Sequence, residues 1–406
     1  RSGHRLEQLP LPDGDGTGFT HGWPGVVSIA RGIRSALLAS NLPDIVHLRM
    51  ADPASLAGAA VADEFGIPVV FTLAADPHAP IESSEAAGSL DRRTFAGVDA
   101  RDGLWFRADL VEHLARRARE VVLFPRPNVT RRIHQLTGID LASGPPRTTV
   151  VAEGVDTTRI DAAEQTVHEG EQMPEVLADL QGAISRLPVE RHGLPILLTV
   201  GRLHEIKGMA RLVEAFCSTP ALSRRANLVI VGGNLEAPSS TEAAELARIQ
   251  QALDAQPGAR DRVVLLGQRQ HEDVALVLAA TKAGWGSLIA DGGAYVSASA
   301  KEEFGLAIVE AMAAGLPAVA PISGGPGTYI DDGVTGVLAD TTDTAALAMA
   351  AATALDLART PGTAERARSS VRERYTLHRM ARDLSAVYRI AAGATTLGHR
   401  VHEASE

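Results

Sequence analysis

Two carboxylates in the second half of the chain flank a predicted helix start. Glu302 and Glu310 lie eight residues apart around Phe304-Gly305-Leu306, and the apolar run from Leu306 reads as a helix that stops at Gly315-Leu316-Pro317. The amides of residues 304–306 would point out of the helix N-terminus, where free N–H groups and the helix dipole favour an anion. Glu302 would lie just outside this helix. Glu310 would lie one turn inside it, where either a ligand or plain solvation of an amphipathic helix explains a carboxylate.

Two cations lie in the stretch GRLHEIKG, residues 201–208, which follows another predicted strand. Arg202 can hold two phosphate oxygens at once, and Lys207 can act as a point charge. A solvated turn with helix caps is the alternative. Glycines at the ends of predicted strands would let the backbone come close to a ligand. These glycines are Gly201, Gly233 and Gly267.

Together these groups suit a nucleotide diphosphate sugar. Arg202 and Lys207 would neutralise the diphosphate, with help from the helix amides. Glu310 would accept hydrogen bonds from ribose hydroxyls, and Glu302 would do the same for the sugar. Fixed cations make a metal unnecessary, so we expect none, and Asp331-Asp332 reads as a turn before a glycine. The P-loop motif is absent and no Gly-x-Gly-x-x-Gly follows a strand, which argues against an ATPase or a dehydrogenase.

Composition narrows the class of protein. With 406 residues, 45% of them hydrophobic, the chain can form two domains with sizeable cores. A net charge of −10 gives no reason to expect a nucleic-acid partner. Cys217 is the only cysteine and no apolar run reaches the length of a membrane span, so we expect a cytoplasmic protein without an integral membrane segment. The chain has only three lysines, which are Lys207, Lys282 and Lys301.

Short apolar strands alternate with helices, which is the pattern of a parallel sheet covered on both faces. Ligands in such sheets sit beyond the carboxyl ends of the strands. Around 157–194 the pattern loosens and prolines and charges collect, so we place a domain boundary there. The strands predicted before it are 6–10, 44–48, 67–73, 120–124 and 148–151, and those after it are 196–200, 227–231, 263–266, 293–297 and 317–320. The helices predicted after it are about 209–218, 240–254, 272–281, 306–314 and 377–391.

An ordered series of motifs in residues 195–342 resembles the donor domain of the retaining family 4 glycosyltransferases of the GT-B fold. The motifs are GRLHEIKG, NLVIVGGN, KEEFGLAIVE and GLPAVAPISGGPGTYIDDGVTGVLAD. HEDV at 271–274 and GGP at 324–326 resemble the sucrose synthase and sucrose-phosphate synthase branch. PDIVH at 43–47, GIPVVFTL at 66–73 and EGVD at 153–156 are consistent with the family in the first half.

The resemblance implies an α/β fold with two Rossmann-like domains that face a cleft. Residues 1–190 would form the acceptor-binding domain, joined by the C-terminal helix of 377–406, and residues 191–376 would bind the donor. The reaction implied is metal-independent transfer of a hexosyl unit, with glucosyl favoured and the anomeric configuration retained. No cofactor is expected beyond a UDP or ADP sugar as co-substrate. The acceptor would be a small sugar, a sugar phosphate or a natural product.

The resemblance also assigns roles to single residues. Arg202 and Lys207 would neutralise the leaving diphosphate, and the amides of Phe304, Gly305 and Leu306 would hold the sugar and phosphate. Glu310 would bind ribose and Glu302 the donor sugar. The remaining site residues implied are Gly201, Gly233 and Gly267 on the donor side, His47 and Arg126 on the acceptor side, and the catalytic candidate His78.

Two departures from the family keep other functions open. GHRL at 3–6 resembles the segment that comes after the family's first helix, so the opening strand and its Gly-rich loop are expected to be missing. The family histidine after the strand at 67–73 is replaced by Ala74, and His78 would supply its hydrogen bond. A nucleotide-sugar-binding protein with impaired catalysis is therefore an alternative. A sugar-nucleotide epimerase of the same fold is another, although the motif series argues against it.

Overall fold

The computed structural model describes residues 22–39, 41–74, 78, 81, 85, 90–140, 147–171 and 173–393. These residues form two compact units. The first unit falls within Arg1–Phe124, Asn128–Val151 and Ala381–Glu406, and the second within Pro125–Pro127 and Ala152–Met380. The strand predicted at 6–10 lies outside the described residues.

The first unit contains a parallel sheet whose strands follow chain order. Val70 of the second strand pairs with Glu120 of the third, and Glu120 pairs with Arg147 of the fourth. The buried strand residues pack against helices that begin at recognisable caps: the Asp52 side chain, for example, accepts a 2.7 Å hydrogen bond from the amide of Ser55. Its described strands are β1 (Val46–Leu48), β2 (Val69–Leu73), β3 (Glu120–Leu123) and β4 (Arg147–Val150), and its helices are α1 (Gly22–Leu38), α2 (Pro53–Glu64), α3 (Phe95–Asp102), α4 (Leu104–Arg117) and α5 (Val129–Thr137).

The second unit contains a six-stranded parallel sheet. Its strands are β5 (Ile196–Val200), β6 (Asn227–Val231), β7 (Val263–Gly267), β8 (Ala294–Val296), β9 (Ala318–Pro321) and β10 (Gly336–Ala339). Their order across the sheet is β10-β9-β8-β5-β6-β7. The chain therefore builds outward from β5 in one direction and then returns to build outward from β8 in the other. The loops after the neighbouring strands β5 and β8 meet at this reversal, which is where doubly wound sheets bind ligands.

Helices cover both faces of the second sheet. The core consists of small and aliphatic side chains, including Leu197, Val213, Leu228, Val319 and Leu347, all fully buried. The helices are α6 (Thr157–Glu169), α7 (Glu175–Ser185), α8 (Met209–Ser218), α9 (Pro220–Ser223), α10 (Ser240–Asp254), α11 (His271–Ala283), α12 (Leu306–Ala313), α13 (Thr344–Leu357), α14 (Thr363–Arg374) and α15 (Leu377–Ala391), the last of which runs from the second unit into the first.

The predicted fold class is confirmed, but the interpretation of 157–194 as a loosened boundary is wrong. Two helices, α6 and α7, occupy most of this stretch and pack against α11 of the second unit. The prolines Pro174 and Pro188 flank α7 and do not interrupt it, and Asp156 caps the start of α6. The division between the units accordingly falls at Val151 and Ala152 and not near residue 190.

The other predicted strands in the described residues are present, with ends within two residues of prediction. β10 was not predicted, because the sequence was interpreted as a turn at Asp332-Gly333 and the strand that follows this turn was not recognised. The final helix at 377–391 is present as predicted. Among the described residues, none of the helices is both long and apolar enough to cross a membrane.

Candidate functional site

Backbone contacts fix the loops at the carboxyl edge of the second sheet. A Cβ on Gly232, after β6, would stand 1.8 Å from the carbonyl oxygen of Gly201, after β5. A Cβ on Gly324, after β9, would stand 1.8 Å from the carbonyl oxygen of Glu302. Gly233 is held in the left-handed region against Leu203. Only glycine fits such contacts, so these loops pack backbone against backbone at Gly232 and Gly324 and against the Leu203 side chain at Gly233.

Lys207 and Glu302 form an ion pair where the sheet order reverses. Lys207 follows β5 and Glu302 follows β8, and Lys207 Nζ lies 2.6 Å from Glu302 Oε1. Ser299 Oγ donates a second hydrogen bond of 2.6 Å to the same oxygen, and Ser297 Oγ a longer one of 3.5 Å. The side chains of Lys207 and Glu302 are 29% and 14% exposed, so the pair is partly desolvated but still reachable. Two residues predicted for the donor site are thereby brought together.

Glycine also shapes the turn that carries Lys207. The turn Glu205–Lys207 ends at Gly208, which has φ of 64°. A Cβ on Gly208 would lie 2.2 Å from the carbonyl oxygen of Ala298, so the turn packs directly against the chain after β8. Arg202 stands on the same loop with its side chain exposed. It makes no hydrogen bond or ion pair to the residues that the structure describes, and so its guanidinium is available to an anion.

The predicted helix start lies at Gly305, with α12 running from Leu306. Gly305 has φ of 86° and its carbonyl accepts hydrogen bonds from the amides of Ile308 and Val309. The amides of Gly305 and Leu306 donate to no acceptor within the described part of the chain, and Leu306 is 41% exposed. The start of α12 therefore offers N–H groups to a ligand, as the sequence predicts.

Glu310 is not a solvated helix carboxylate. It is partly buried on α12, and this burial raises the pKa of its carboxyl above the ordinary value, with His271 and Arg159 opposing the shift. None of the described residues donates a hydrogen bond to its side chain. A desolvated carboxylate with unused acceptor capacity suits the recognition of neutral hydroxyl groups.

Aromatic rings support the loop between Glu302 and α12 from inside the unit. The Phe304 ring packs against Tyr329 and Tyr375, with ring centroids 5.8 and 5.7 Å away. Tyr329 Oη donates a 2.6 Å hydrogen bond to the carbonyl of Phe304. Phe304 itself is 2% exposed, so its side chain anchors the loop while its neighbours stay accessible.

Arg126 lies beside this loop. Residues 125–127 group with the second unit, and the Arg126 guanidinium forms an ion pair with Glu303. Lys301 Nζ lies 3.1 Å from the same carboxylate. The Arg126 side chain is only 9% exposed. Its predicted role toward an acceptor stays a prediction, while its contact supports the segment that carries Glu302.

The candidates in the first unit are placed differently. His47 Nδ1 lies 2.7 Å from Tyr388 Oη, and its Nε2 lies 2.7 Å from Thr72 Oγ1. Burial, with a smaller contribution from Arg49, lowers the pKa of His47 to about 4. Both ring nitrogens are therefore engaged by the protein. His78 is partly exposed in a turn. The roles predicted for the two histidines stay predictions.

The sequence did not predict the residues that position the site through hydrogen bonds and packing. Ser299 was overlooked although it stands three residues before Glu302. Tyr329 lies 25 residues after Phe304 and offered no local signal. Arg159 lies in the stretch that was interpreted as a domain boundary. Asp331-Asp332 is a turn, as predicted, with the Asp331 carbonyl bonded to the amide of Thr335. The described residues contain no group of three or more His, Cys, Asp or Glu that could hold a metal ion.

Comparison with known proteins agrees with this arrangement. Residues 184–374 match the family described as Glycosyl transferases group 1, and this segment contains Arg202, Lys207, Glu302 and Glu310. This part of the chain belongs to the group 1 glycosyltransferases. The resemblance stated from the motifs is thereby confirmed.

Relatives of this glycosyltransferase segment include sucrose synthases. The sucrose synthase of Acidithiobacillus caldus is 35% identical over 216 residues, which cover 52% of this chain and 26% of that protein. The sucrose synthase of Nitrosomonas europaea is 31% identical over 236 residues, covering 55% and 28%. The match therefore spans little more than a quarter of the length of these relatives.

Solved structures confirm the GT-B fold over most of the chain. A sucrose-phosphate synthase from Thermosynechococcus elongatus superposes with a TM-score of 0.67 at 20% identity, covering 92% of this chain and 79% of that one. A trehalose-phosphate synthase from Burkholderia xenovorans gives a TM-score of 0.65 at 13% identity, covering 90% and 78%. At these identities the likeness establishes the fold.

Proposed function

We propose that the protein transfers a hexosyl unit, glucosyl by preference, from a nucleotide diphosphate sugar to a small acceptor. The observation that carries this proposal is the Lys207–Glu302 ion pair at the reversal of the second sheet. It places a cation and a carboxylate side by side, beside the exposed Arg202 and the open amides of α12. A diphosphate next to a polyhydroxylated sugar is the ligand that uses all of these groups.

Each partner of the ion pair retains capacity for a ligand. The Lys207 ammonium has three donors and spends one on Glu302, which leaves others for phosphate oxygens. Every hydrogen bond that the described residues make to the Glu302 carboxylate goes to Oε1. Oε2 is therefore left to accept from a hydroxyl of the donor sugar. The pair orients both groups before the donor arrives, which lowers the cost of binding it.

The chemistry follows from the electrostatics. In the proposed step, the bond between the sugar C1 and the diphosphate oxygen breaks, and its electron pair goes to the diphosphate. The acceptor oxygen forms a new bond to C1 on the same face. The acceptor proton passes to the departing phosphate oxygen, so no side chain has to act as a base. Lys207, Arg202 and the helix amides stabilise the charge that builds on the diphosphate, without a metal.

Glu310 is assigned to the ribose hydroxyls of the nucleotide. Its partly buried carboxylate lies one helical turn beyond the amides that would receive the phosphate. We favour UDP or ADP sugars as donors. The Anabaena protein HepE, solved with UDP-glucose, has a similar fold, with a TM-score of 0.60. The trehalose-phosphate synthase above was solved with glucose 6-phosphate, which supports testing sugar phosphates as acceptors.

A donor and acceptor screen tests this function. UDP-, ADP- and GDP-glucose are incubated with hexoses, hexose phosphates and hydroxylated natural products, with and without EDTA, and nucleotide release and product are measured. We expect release that requires an acceptor, a product of retained configuration by NMR, and no effect of EDTA. Nucleotide binding without release for any acceptor would indicate a binding protein. A changed sugar without any acceptor would indicate an epimerase.

Replacing Lys207 gives the sharpest variant. Lys207→Ala removes a charge aimed at the leaving group, and such losses cost about 100- to 1,000-fold in rate. Lys301→Ala is the matched control, because Lys301 is similarly exposed and also pairs with a glutamate of this loop, but with Glu303 instead of Glu302. We expect the control to stay within about threefold of the wild type. Near-normal transfer by Lys207→Ala would overturn the assignment.

A further inference from the structure

A polar cavity lies in the second unit, at the edge of the sheet opposite the candidate donor site. It has a volume of about 440 Å³ and is lined by residues that include Lys282, Asp291, Gly292, Gly315 and Arg359. Lys282 and Asp291 precede β8, and Gly315 precedes β9. The cavity therefore opens at the amino ends of the strands, whereas the candidate donor site lies at their carboxyl ends.

Lys282 is the residue of this cavity whose surroundings favour a bound ligand. It is partly buried, yet its ammonium forms no hydrogen bond or ion pair with any described residue, whereas Lys207 and Lys301 are each paired with a glutamate. Burial lowers its pKa and the neighbouring Arg368 lowers it further, whereas the carboxylates of Glu164, Asp291 and Glu365 act in the opposite direction. The donors of this ammonium are therefore unused by the described residues, and a bound anion would engage them.

Two arginines lie on or beside this lining. Arg359 is exposed and lines the cavity above Gly292, where an added Cβ would lie 3.6 Å from Arg359 Cγ. Arg368 Nη2 is engaged by Glu164 and by the carbonyl of Ala314. Its Nε is buried with no hydrogen-bond partner, close to Gly315, where an added Cβ would lie 3.1 Å from this atom. The lining itself therefore carries two cations, Lys282 and Arg359, and one carboxylate, Asp291.

We propose that this cavity binds a small phosphate monoester, about the size of a hexose monophosphate. Lys282 and Arg359 would hold the phosphate, and Asp291 would accept a hydroxyl of the remainder. The volume lies within the range of about 300–1,000 Å³ that is usual for small-molecule sites. This site is separate from the donor site, and its existence does not depend on the proposed transfer reaction.

The scarcity of lysine allows a direct test. Reductive ¹³C-methylation of the full chain keeps each lysine charged and gives NMR signals for Lys207, Lys282 and Lys301, which single Lys→Arg variants assign. We expect inorganic phosphate and glucose 6-phosphate to shift the Lys282 signal to saturation, and glucose or matched sodium chloride to leave it in place. UDP should shift the Lys207 signal and leave that of Lys282 unchanged.

Arg359→Ala is the variant that tests the ligand set. Arg359 is exposed, so the fold should survive, as a thermal melt would confirm. Loss of one charged hydrogen bond should weaken phosphate binding at Lys282 about tenfold. A Lys282 signal that ignores phosphate and glucose 6-phosphate in the wild type would overturn the proposal, and so would unchanged affinity in Arg359→Ala. Failure of the transfer assay with saturation at Lys282 would contradict only the proposed function.

Discussion

His47 in the first unit and Glu310 in the second are both partly buried ionisable side chains, but their hydrogen bonding differs. Both nitrogens of His47 are engaged, by Thr72 and Tyr388. Glu310 receives no hydrogen bond from the described residues, and burial raises its pKa. A buried polar group that is fully satisfied stabilises a fold, whereas one left with unused capacity costs stability until a ligand arrives.

The sequence alone did not reveal this difference in hydrogen bonding between His47 and Glu310. The sequence left Glu310 open between a ligand and solvation, and it offered His47 as an acceptor-side residue only through the family resemblance. Their surroundings separate them, and the separation leads to opposite expectations for substitution. Changing Glu310 should affect ligand binding above all, and changing His47 should affect stability above all.

Glu310→Gln should produce the largest effect of these substitutions. Glutamine keeps the shape but loses the charge that accepts from ribose, and loss of a charged hydrogen bond should weaken UDP or ADP binding by about 10- to 100-fold in calorimetry. Glu214→Gln, which changes an exposed carboxylate on α8, is the matched control. Equal nucleotide affinity in the two variants would contradict the ribose assignment.

The same variant should be more stable than the wild type without ligand. Because the folded-state pKa of Glu310 is raised, the wild type loses stability as the pH rises from the carboxyl's ordinary pKa through the raised value. Glu310→Gln lacks this loss. Denaturant titrations should therefore show a gain over wild type at neutral pH that disappears in acid. A variant that is less stable than wild type at neutral pH would argue that Glu310 is structural.

His47 should show the opposite pH dependence, with a smaller effect. Its folded-state pKa is lowered from 6.5 to about 4, so the stability from a neutral ring is present above pH 6.5 and is lost as the pH falls toward 4. The shift corresponds to at most about 3 kcal/mol, and roughly 2 kcal/mol is expected for a partly exposed ring.

The difference between wild type and His47→Gln in urea unfolding isolates this contribution from other acid-sensitive groups. Glutamine can keep a hydrogen bond to Thr72 or Tyr388 but has no titrating ring. The variant should therefore lose less stability than the wild type between pH 7 and pH 4.5. Parallel losses in the two proteins would show that protonation of His47 does not oppose folding.

Much of the second unit was predictable, because local patterns determine it. The strands before Gly201 and Gly232 are short apolar runs followed by glycines, and a parallel sheet brings the ends of such strands to one edge. The closeness of Lys207 to Glu302 follows from that topology. Their direct ion pair does not, because it depends on Ser299 and on the turn that ends at Gly208.

The unpredicted features depend on contacts between distant residues or on a misread local pattern. Arg126 lies 177 residues before its partner Glu303, and Tyr388 lies 341 residues after His47. No local periodicity reports such pairs. The helices α6 and α7 were missed for another reason. The prolines and charges at their ends were interpreted as a domain boundary, whereas proline is tolerated where a helix begins or has ended.

Two tyrosine hydroxyls, one in each unit, can also be compared, and removing them should have the smallest effects on stability and nucleotide binding. Tyr329 Oη donates to the carbonyl of Phe304 in the second unit, and Tyr388 Oη bonds to His47 Nδ1 in the first. Phenylalanine at either position deletes one hydroxyl and leaves the ring. Each change should cost about 1 kcal/mol of unfolding free energy, because a buried partner is left unsatisfied.

Nucleotide affinity should distinguish the two variants although their stabilities are similar. Tyr329→Phe releases the carbonyl that holds the loop between Glu302 and α12, so the amides of Gly305 and Leu306 lose part of their fixed position. UDP binding should weaken about three- to tenfold, a cost of the size expected for a less preorganised site. Tyr388→Phe leaves that loop untouched and should bind UDP like the wild type. If Tyr329→Phe is destabilised yet binds UDP normally, the Phe304 and Tyr375 rings alone hold the loop. The Tyr329 hydroxyl would then stabilise the second unit without affecting the site, just as the Tyr388 hydroxyl stabilises the first unit.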